Sequence, residues 1–229
     1  MNTTGFKKIS DWFDRIYVIN RPDRPDRLAR FFKHIDQSEL FDRDMILVYP
    51  GVMGEKVTCP KDFAAGPGAW GCFRSHSNII ENVIMEREVL GVGLDSILIM
   101  EDDVEFIENP LALFNQFMED IPSDWDQLYL GGQHRIAPIE TEKEGILRGI
   151  SVNRAHAYAL NRKAYKKVYT HINYSPNYYG RKDHHFDHQL EIAHRRQDWN
   201  VYCPSVWLAG QCAGKSDINT DDLDARIWQ

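Results

Sequence analysis

Ser96-Ile-Leu-Ile-Met-Glu-Asp-Asp103 is the stretch on which the fold turns. Four apolar residues run without interruption into three carboxylates. An unbroken apolar run of this length suits a strand covered on both faces, as in a parallel sheet flanked by helices. In open α/β sheets, ligands bind beyond the carboxyl ends of the strands. Neighbouring carboxylates repel and resist ionising unless a cation sits among them. Hard oxygen ligands suit Mg²⁺ or Mn²⁺ together with the phosphates of a substrate. Glu101, Asp102 and Asp103 are therefore the candidate metal ligands. Alternation along an extended segment would point Glu101 and Asp103 one way and Asp102 the other. A solvated acidic turn would give the same triplet. The abrupt change from apolar to acid, followed by Val104-Glu-Phe106, favours the metal.

Outward from this stretch, short apolar runs alternate with helical patterns. Asp14–Asn20 reads as a strand, and Arg21-Pro-Asp-Arg-Pro-Asp as a turn with Pro25 in the first turn of the next helix. Leu28, Phe31, Phe32 and Ile35 recur at i, i+3, i+4 and i+7, an amphipathic helix. Met45–Tyr49 reads as a second strand. Gly68 to Leu90 is the longest helical pattern, ended by Gly91-Val-Gly93. Further on, Pro110 to Met118 suggests a helix and Asp126–Leu130 a strand ending in Gly131-Gly132. Residues 133–150 are polar and compatible with a hairpin. Ala155–Leu160 suits a strand and Arg162–Thr170 a helix, then Tyr174–Lys182 a loop. His184–Arg195 reads as a helix and Val201–Leu208 as a last strand. This alternation predicts one α/β domain over 1–229 with a mostly parallel sheet.

Composition narrows the function. The chain has 229 residues with 27 Lys and Arg against 34 Asp and Glu, a net charge of −7, which argues against adhesion to nucleic acid. Hydrophobic residues at 43% are enough for a real core. No apolar stretch approaches the roughly 20 residues of a spanning helix. The opening MNTTGFKKIS has no apolar h-region, and Cys59, Cys72, Cys203 and Cys212 form no CxxC pair. The expectation is a cytoplasmic protein with free thiols, with room for peripheral association at the inner face of a membrane. A receiver domain shares the apolar–acid strand but needs a later phosphoacceptor Asp, and there is no Asp between Asp126 and Asp183. Glu191-Ile-Ala-His194 matches half of a di-iron motif whose second half is missing. A zinc site on His184 and His188 would need two further ligands.

Taken in order, Ile16-Tyr-Val-Ile-Asn20 with Arg24 and Arg27, Gly71-Cys-Phe-Arg-Ser-His76, Ile97-Leu-Ile-Met-Glu-Asp-Asp103, Asp187 and Ser216-Asp217-Ile218 resemble glycosyltransferase family 25. That family includes lipooligosaccharide β-galactosyltransferases and is related to the collagen galactosyltransferases. The resemblance spans roughly Ile16 to Ile218 and is weakest over 133–155. It implies a GT-A fold, with a Rossmann-like nucleotide-binding half over about 14–132 and an acceptor-side half over about 133–218. It also implies a UDP-sugar donor, most often UDP-galactose, a divalent ion, usually Mn²⁺, and a glycan or glycolipid acceptor. Asn20, Arg21, Arg24 and Arg27 would surround the donor, since guanidinium forks suit phosphate oxygens. Arg21 stands where the family more often has Leu, and Arg74 where it commonly has an apolar residue.

The glycines that open the second motif would let backbone approach a ligand closely. Arg74 and Ser75 lie off the apolar stripe and are expected to face the cleft, while His76 lies on the stripe. Asp187 matches the family's acidic residue and is the candidate general base for the acceptor hydroxyl. Aromatics in Trp199–Trp207 and Tyr174–Tyr179 could stack on sugars. The expected activity is metal-dependent transfer of a sugar, with inversion, in cell-surface polysaccharide or lipooligosaccharide synthesis. The alternative is a non-catalytic nucleotide- or carbohydrate-binding domain of the same fold. A nucleotidyltransferase would share the acids but bring a Gly-rich basic loop after the first strand.

Overall fold

A computed structural model describes residues 5–174, 184–196, 198–212, 214–215 and 222–223. The elements in chain order are β1 (Arg15–Asn20), α1 (Pro25–Ser38), β2 (Ile46–Pro50), α2 (Gly66–Leu90), β3 (Ser96–Glu101), β4 (Val104–Phe106) and α3 (Leu111–Asp120). They continue with β5 (Gln127–His134), β6 (Ile139–Glu140), β7 (Ile146–Arg148), β8 (Val152–Asn161), α4 (Tyr165–Tyr174), α5 (Phe186–His194), β9 (Val201–Pro204) and β10 (Ala209–Gln211). Eight strands form one sheet in the order β2-β1-β3-β8-β5-β9-β7-β6. β1 pairs in parallel with β2 and β3, and β5 with β9. β8 runs antiparallel between β3 and β5, so the sheet is mixed although most strands share one direction.

Alternation sends each strand's side chains to two separate cores. Ile16, Val18, Leu98, Met100, Leu128 and Leu130 meet Phe31, Ile35, Phe114 and Phe117 from α1 and α3. Tyr17, Ile97, Ile99, Tyr129 and Leu160 meet Phe73, Ile80, Val168 and Leu190 from α2, α4 and α5. Ile97 to Met100 are wholly inaccessible, as their uninterrupted apolar run implies. Among the described residues no helix is long and apolar enough to cross a membrane.

Several boundaries differ from the sequence expectation for identifiable reasons. Helix α2 begins at Gly66, because Pro67 is accommodated in the first turn. β5 runs on through Gly131-Gly132 to His134, held by β8, and β8 itself starts at Val152. The expected last strand is two, β9 and β10, and β10 leaves the main sheet to pair with β4. Residues 139–148 do form a hairpin, β6 with β7. Pro25 and Gly91 take their expected places, Gly91 in the left-handed conformation at φ 69. Most of the expected 174–182 loop lies outside the described residues.

Gly71 is required for packing against the chain itself rather than against a ligand. A Cβ there would stand 2.4 Å from the Val52 carbonyl oxygen and 2.7 Å from the Gly54 nitrogen. Both obstacles are backbone and cannot swing aside. Gly71→Ala gains about 1 kcal/mol of helix propensity, but overpacking of this kind costs typically about 1–3 kcal/mol. The expected net result is a lowered urea midpoint with an unchanged m-value; a midpoint at or above wild type would contradict the packing.

Candidate functional site

The carboxyl ends of β1 and β3 lie side by side, with Ile19 opposite Glu101. β3 stops at Glu101, and Asp102-Asp103 turn the chain into β4. The strict alternation expected for the three acids is therefore replaced by a turn. Asp102 is buried. Its Oδ1 meets the Arg27 guanidinium at 2.5 Å, and its Oδ2 accepts from Asn20 Nδ2 at 2.6 Å. Asn20 Nδ2 also donates to the Arg24 carbonyl, which fastens the first strand–helix turn to the end of β3. The same Arg27 reaches Asp103 Oδ2 at 2.9 Å, where Gln211 Nε2 donates at 3.3 Å. Asp103 Oδ1 is buried and has no hydrogen-bond partner among the described residues.

Glu101 faces the other core. His76 Nε2 lies 3.2 Å from Glu101 Oε1, and His76 Nδ1 lies 3.1 Å from the Tyr158 hydroxyl. A carboxylate only accepts, so Nε2–H donates to Glu101 and Nδ1 accepts from Tyr158. The His76 ring also stacks on Phe186. Burial pushes the Glu101 carboxyl up, but the hydrogen bond from His76 and the nearby charge of Arg27 outweigh it and hold the group below its ordinary value. At Asp103 the balance falls the other way. Burial and the charge of Glu101 push it up to about 7 against the pull of Arg27. The cluster thus carries more negative charge than its own cation offsets.

His156 enters from a distortion in the sheet. Two steps along β5, Gly131 to Gln133, face four along β8, Asn153 to Ala157. The bulge holds Arg154 at φ 80 and turns His156 inward. A Cβ on Gly131 would stand 2.3 Å from His156 Nε2 and from the Ala209 carbonyl oxygen, so this glycine makes the room. Burial lowers His156 to about 4, which keeps it neutral beside Glu101 and Asp187. Bulges next to functional sites commonly re-aim a side chain in this way.

Asp187 sits in the first turn of α5, where a carboxylate suits the helix dipole, and its Oδ1 accepts from the His188 amide at 2.9 Å. Its charge adds to the burial that pushes up the Cys72 thiol and the Tyr129 hydroxyl. The other expected donor residues have further partners among the described residues. Arg21 pairs with Asp23 and Glu55, and Arg24 with Asp26. Arg74 reaches Asn78 and stacks over Trp70. Ser75 is buried: its hydroxyl donates to the Gly71 carbonyl and accepts from the Val52 amide. Asn20, Arg27 and the three acids are brought together, whereas Arg74 and Ser75 are not joined to them.

The expected aromatic sugar platform is not formed at Trp199 and Trp207. Both are buried, Trp199 against His171 and His194 and Trp207 stacked on His134. Residues 175–179 and Ser216-Asp217-Ile218 lie outside the described residues. The Glu191/His194 pair is structural. Glu191 accepts from Ser151 and Asn153, while His194 bonds Gln127 and the Val152 amide. His184 packs between Phe63 and Phe73. Sequence reading missed Gln211, His156 and Tyr158; only the Gly131-Gly132 pair signalled that something crowds the end of β5.

A buried carboxylate oxygen without a hydrogen-bond partner among the described residues is a ligand type that suits a hard dication. Asp103 and Glu101 are the acids with capacity left for it, since both Asp102 oxygens are engaged.

No family model matches the chain. It is 29% identical over 175 residues to the human inactive glycosyltransferase 25 family member 3, covering 68% of this chain and 28% of that protein. It is 28% identical over 139 residues to procollagen galactosyltransferase 1 of Danio rerio, covering 52% of this chain and 21% of that one. The chain spans about a quarter of the length of the curated relatives it matches. Among solved structures, a Drosophila β-1,4-galactosyltransferase 7 variant in complex with manganese, UDP-Gal and xylobiose aligns at TM-score 0.38 and 14% identity, over 83% of this chain and 64% of that one. A glycosyltransferase involved in glycosylation of the PBCV-1 major capsid aligns at TM-score 0.39 and 12% identity, over 71% and 67%. By sequence, over half to two-thirds of its own length, the chain is similar to members of glycosyltransferase family 25.

Proposed function

We propose that the chain is a glycosyltransferase that moves a sugar, galactose in this reading, from a UDP-sugar to a hydroxyl of a glycan or glycoconjugate. The observation that carries the reading is the anion-rich corner at the ends of β1 and β3. Asn20 and Arg27 brace Asp102 there, leaving Asp103 Oδ1 buried and without a hydrogen-bond partner among the described residues. Asp103 and Glu101 would hold Mn²⁺ or Mg²⁺, which would supply charge for the leaving diphosphate. The similarity to procollagen galactosyltransferases supports galactose, and cell-surface polysaccharide or lipooligosaccharide synthesis is the setting proposed.

The residues of the chain divide the remaining tasks. Arg27 holds Asp102 and Asp103 in place and contributes positive charge to the donor pocket. His76, fixed by Tyr158, orients Glu101. Asp187 takes the proton from the acceptor hydroxyl as its oxygen bonds the anomeric carbon and the bond to the UDP oxygen breaks, a single inverting displacement. On this proposal the chain is one domain, both halves contributing strands to a single sheet.

Several relatives are named inactive, which favours a second reading, a binding domain without turnover. Asp187→Asn separates the two. Loss of a positioned base costs about 10²–10⁴-fold, so transfer should fall by that factor while UDP binding stays within about twofold. No transfer by wild type on any UDP-sugar, with UDP binding intact, would select the binding domain.

A further inference from the structure

We infer that Cys72, His76 and Glu101 form a second cation site, selective for a borderline-soft dication of the Zn²⁺ type. Their ligand atoms all lie within 4.8 Å of one another. His76 Nε2 and Glu101 Oε1 are already 3.2 Å apart. Two ligands about 2.0–2.1 Å from one tetrahedral ion stand roughly 3.3 Å apart, so this pair needs almost no adjustment. Cys72 and His76 are four residues apart on α2, the spacing that puts two ligands on one helix face. Glu101 comes from the end of β3 and supplies the third ligand.

Selectivity follows from donor chemistry. Thiolate and imidazole favour Zn²⁺ or Co²⁺, while a carboxylate oxygen such as Asp103 Oδ1 favours Mg²⁺ or Mn²⁺. Tyr158 fixes the ring from behind, as outer partners of ligating histidines do. On binding, the Cys72 thiol proton leaves to solvent as the thiolate–metal bond forms. The imidazole proton moves from Nε2 to Nδ1, which then donates a hydrogen bond to the Tyr158 oxygen as the hydroxyl hydrogen turns away, so one proton is released per ion. His76 is buried, but Cys72 and Glu101 are partly exposed, which gives an ion a route in and leaves a fourth position for water. Glu101 is shared with the hard-ion site. On the transferase reading, Zn²⁺ would therefore inhibit by withdrawing it.

The test uses Co²⁺ as a spectroscopic probe on the full, chelator-stripped chain, with no nucleotide and no turnover, so its outcome is independent of the transferase reading. The expected result is a near-ultraviolet thiolate-to-cobalt charge-transfer band that saturates at a single ion per chain. Cys72→Ser should abolish it and Cys59→Ser and Cys212→Ser should keep it. Zn²⁺ should erase it and excess Mg²⁺ should not. Glu101→Gln, which keeps all four thiols and the shape of the side chain, should weaken Co²⁺ binding about tenfold or more. No band at saturating Co²⁺, a band that survives Cys72→Ser, or unchanged affinity in Glu101→Gln would overturn the site.

Discussion

Asp103→Asn is expected to make the metal-free protein more stable while sharply lowering metal-dependent turnover. In the folded chain Asp103 is pushed up to about 7, against about 3.9 for an unfolded Asp. Between these values the folded state binds the proton more tightly, so stability falls as pH rises through the window and the loss is complete above about 7. An amide carries no charge to repel Glu101 and can donate toward it. With a chelator present at pH 8, the variant should gain about 1–3 kcal/mol. That corresponds to roughly 2–4 °C in Tm per kcal/mol for a chain of this size. The gain should shrink toward pH 5 and vanish below pH 4, where both states of the wild type are protonated. Thermal unfolding at pH 5 and pH 8 checks the sign. A variant less stable than wild type at pH 8 would mean that the carboxylate is satisfied without a metal. Transfer should fall about 10²–10³-fold, as when a preorganised charge-stabilising group is removed.

Arg27→Ala should show the opposite pattern, with heavy loss of stability. The guanidinium is almost fully buried and bridges Asp102 and Asp103. Removing one partner of a buried ion pair costs about 3–5 kcal/mol, because the remaining charge stays buried and uncompensated. Asp102 would keep its bond from Asn20, and Asp103 its bond from Gln211. Arg27→Lys should recover part of the loss, since an ammonium lacks the planar fork that spans both carboxylates. Asp102→Asn in the Arg27→Ala background should recover part as well, by removing the stranded charge. Urea unfolding of the four proteins measures this coupling. A single-variant cost below about 1 kcal/mol would show a solvated, weakly coupled pair.

Most of the architecture was legible because burial on both faces leaves a plain mark in sequence. The run from Ile97 to Met100, the stripe at Leu28, Phe31, Phe32 and Ile35, and the Gly91 stop each follow from local rules. The insertion of β8 antiparallel between β3 and β5 was not legible. Apolar content marks a strand as central but says nothing of its direction. At the site, the grouping of Asn20 and Arg27 with the acids could be foreseen from strand ends. The division of labour among the acids could not, because it depends on where β3 yields to the 102–103 turn. Ser75 illustrates the limit of helical-wheel reasoning: it lies off the apolar stripe yet is buried, because the Gly54–Lys56 segment covers that face of α2. His156 was hidden within an apolar strand, and only the bulge beside Gly131 brings its ring to the acids.

Calorimetric titration of the wild-type chain with UDP, in Mn²⁺ and then in EDTA, bears most directly on whether the corner at residues 101–103 takes a dication together with a diphosphate. Saturable UDP binding in Mn²⁺ that EDTA abolishes, and that Asp103→Ala lacks while remaining folded, is the predicted result. UDP binding of equal strength in EDTA, or unimpaired in Asp103→Ala, would contradict it.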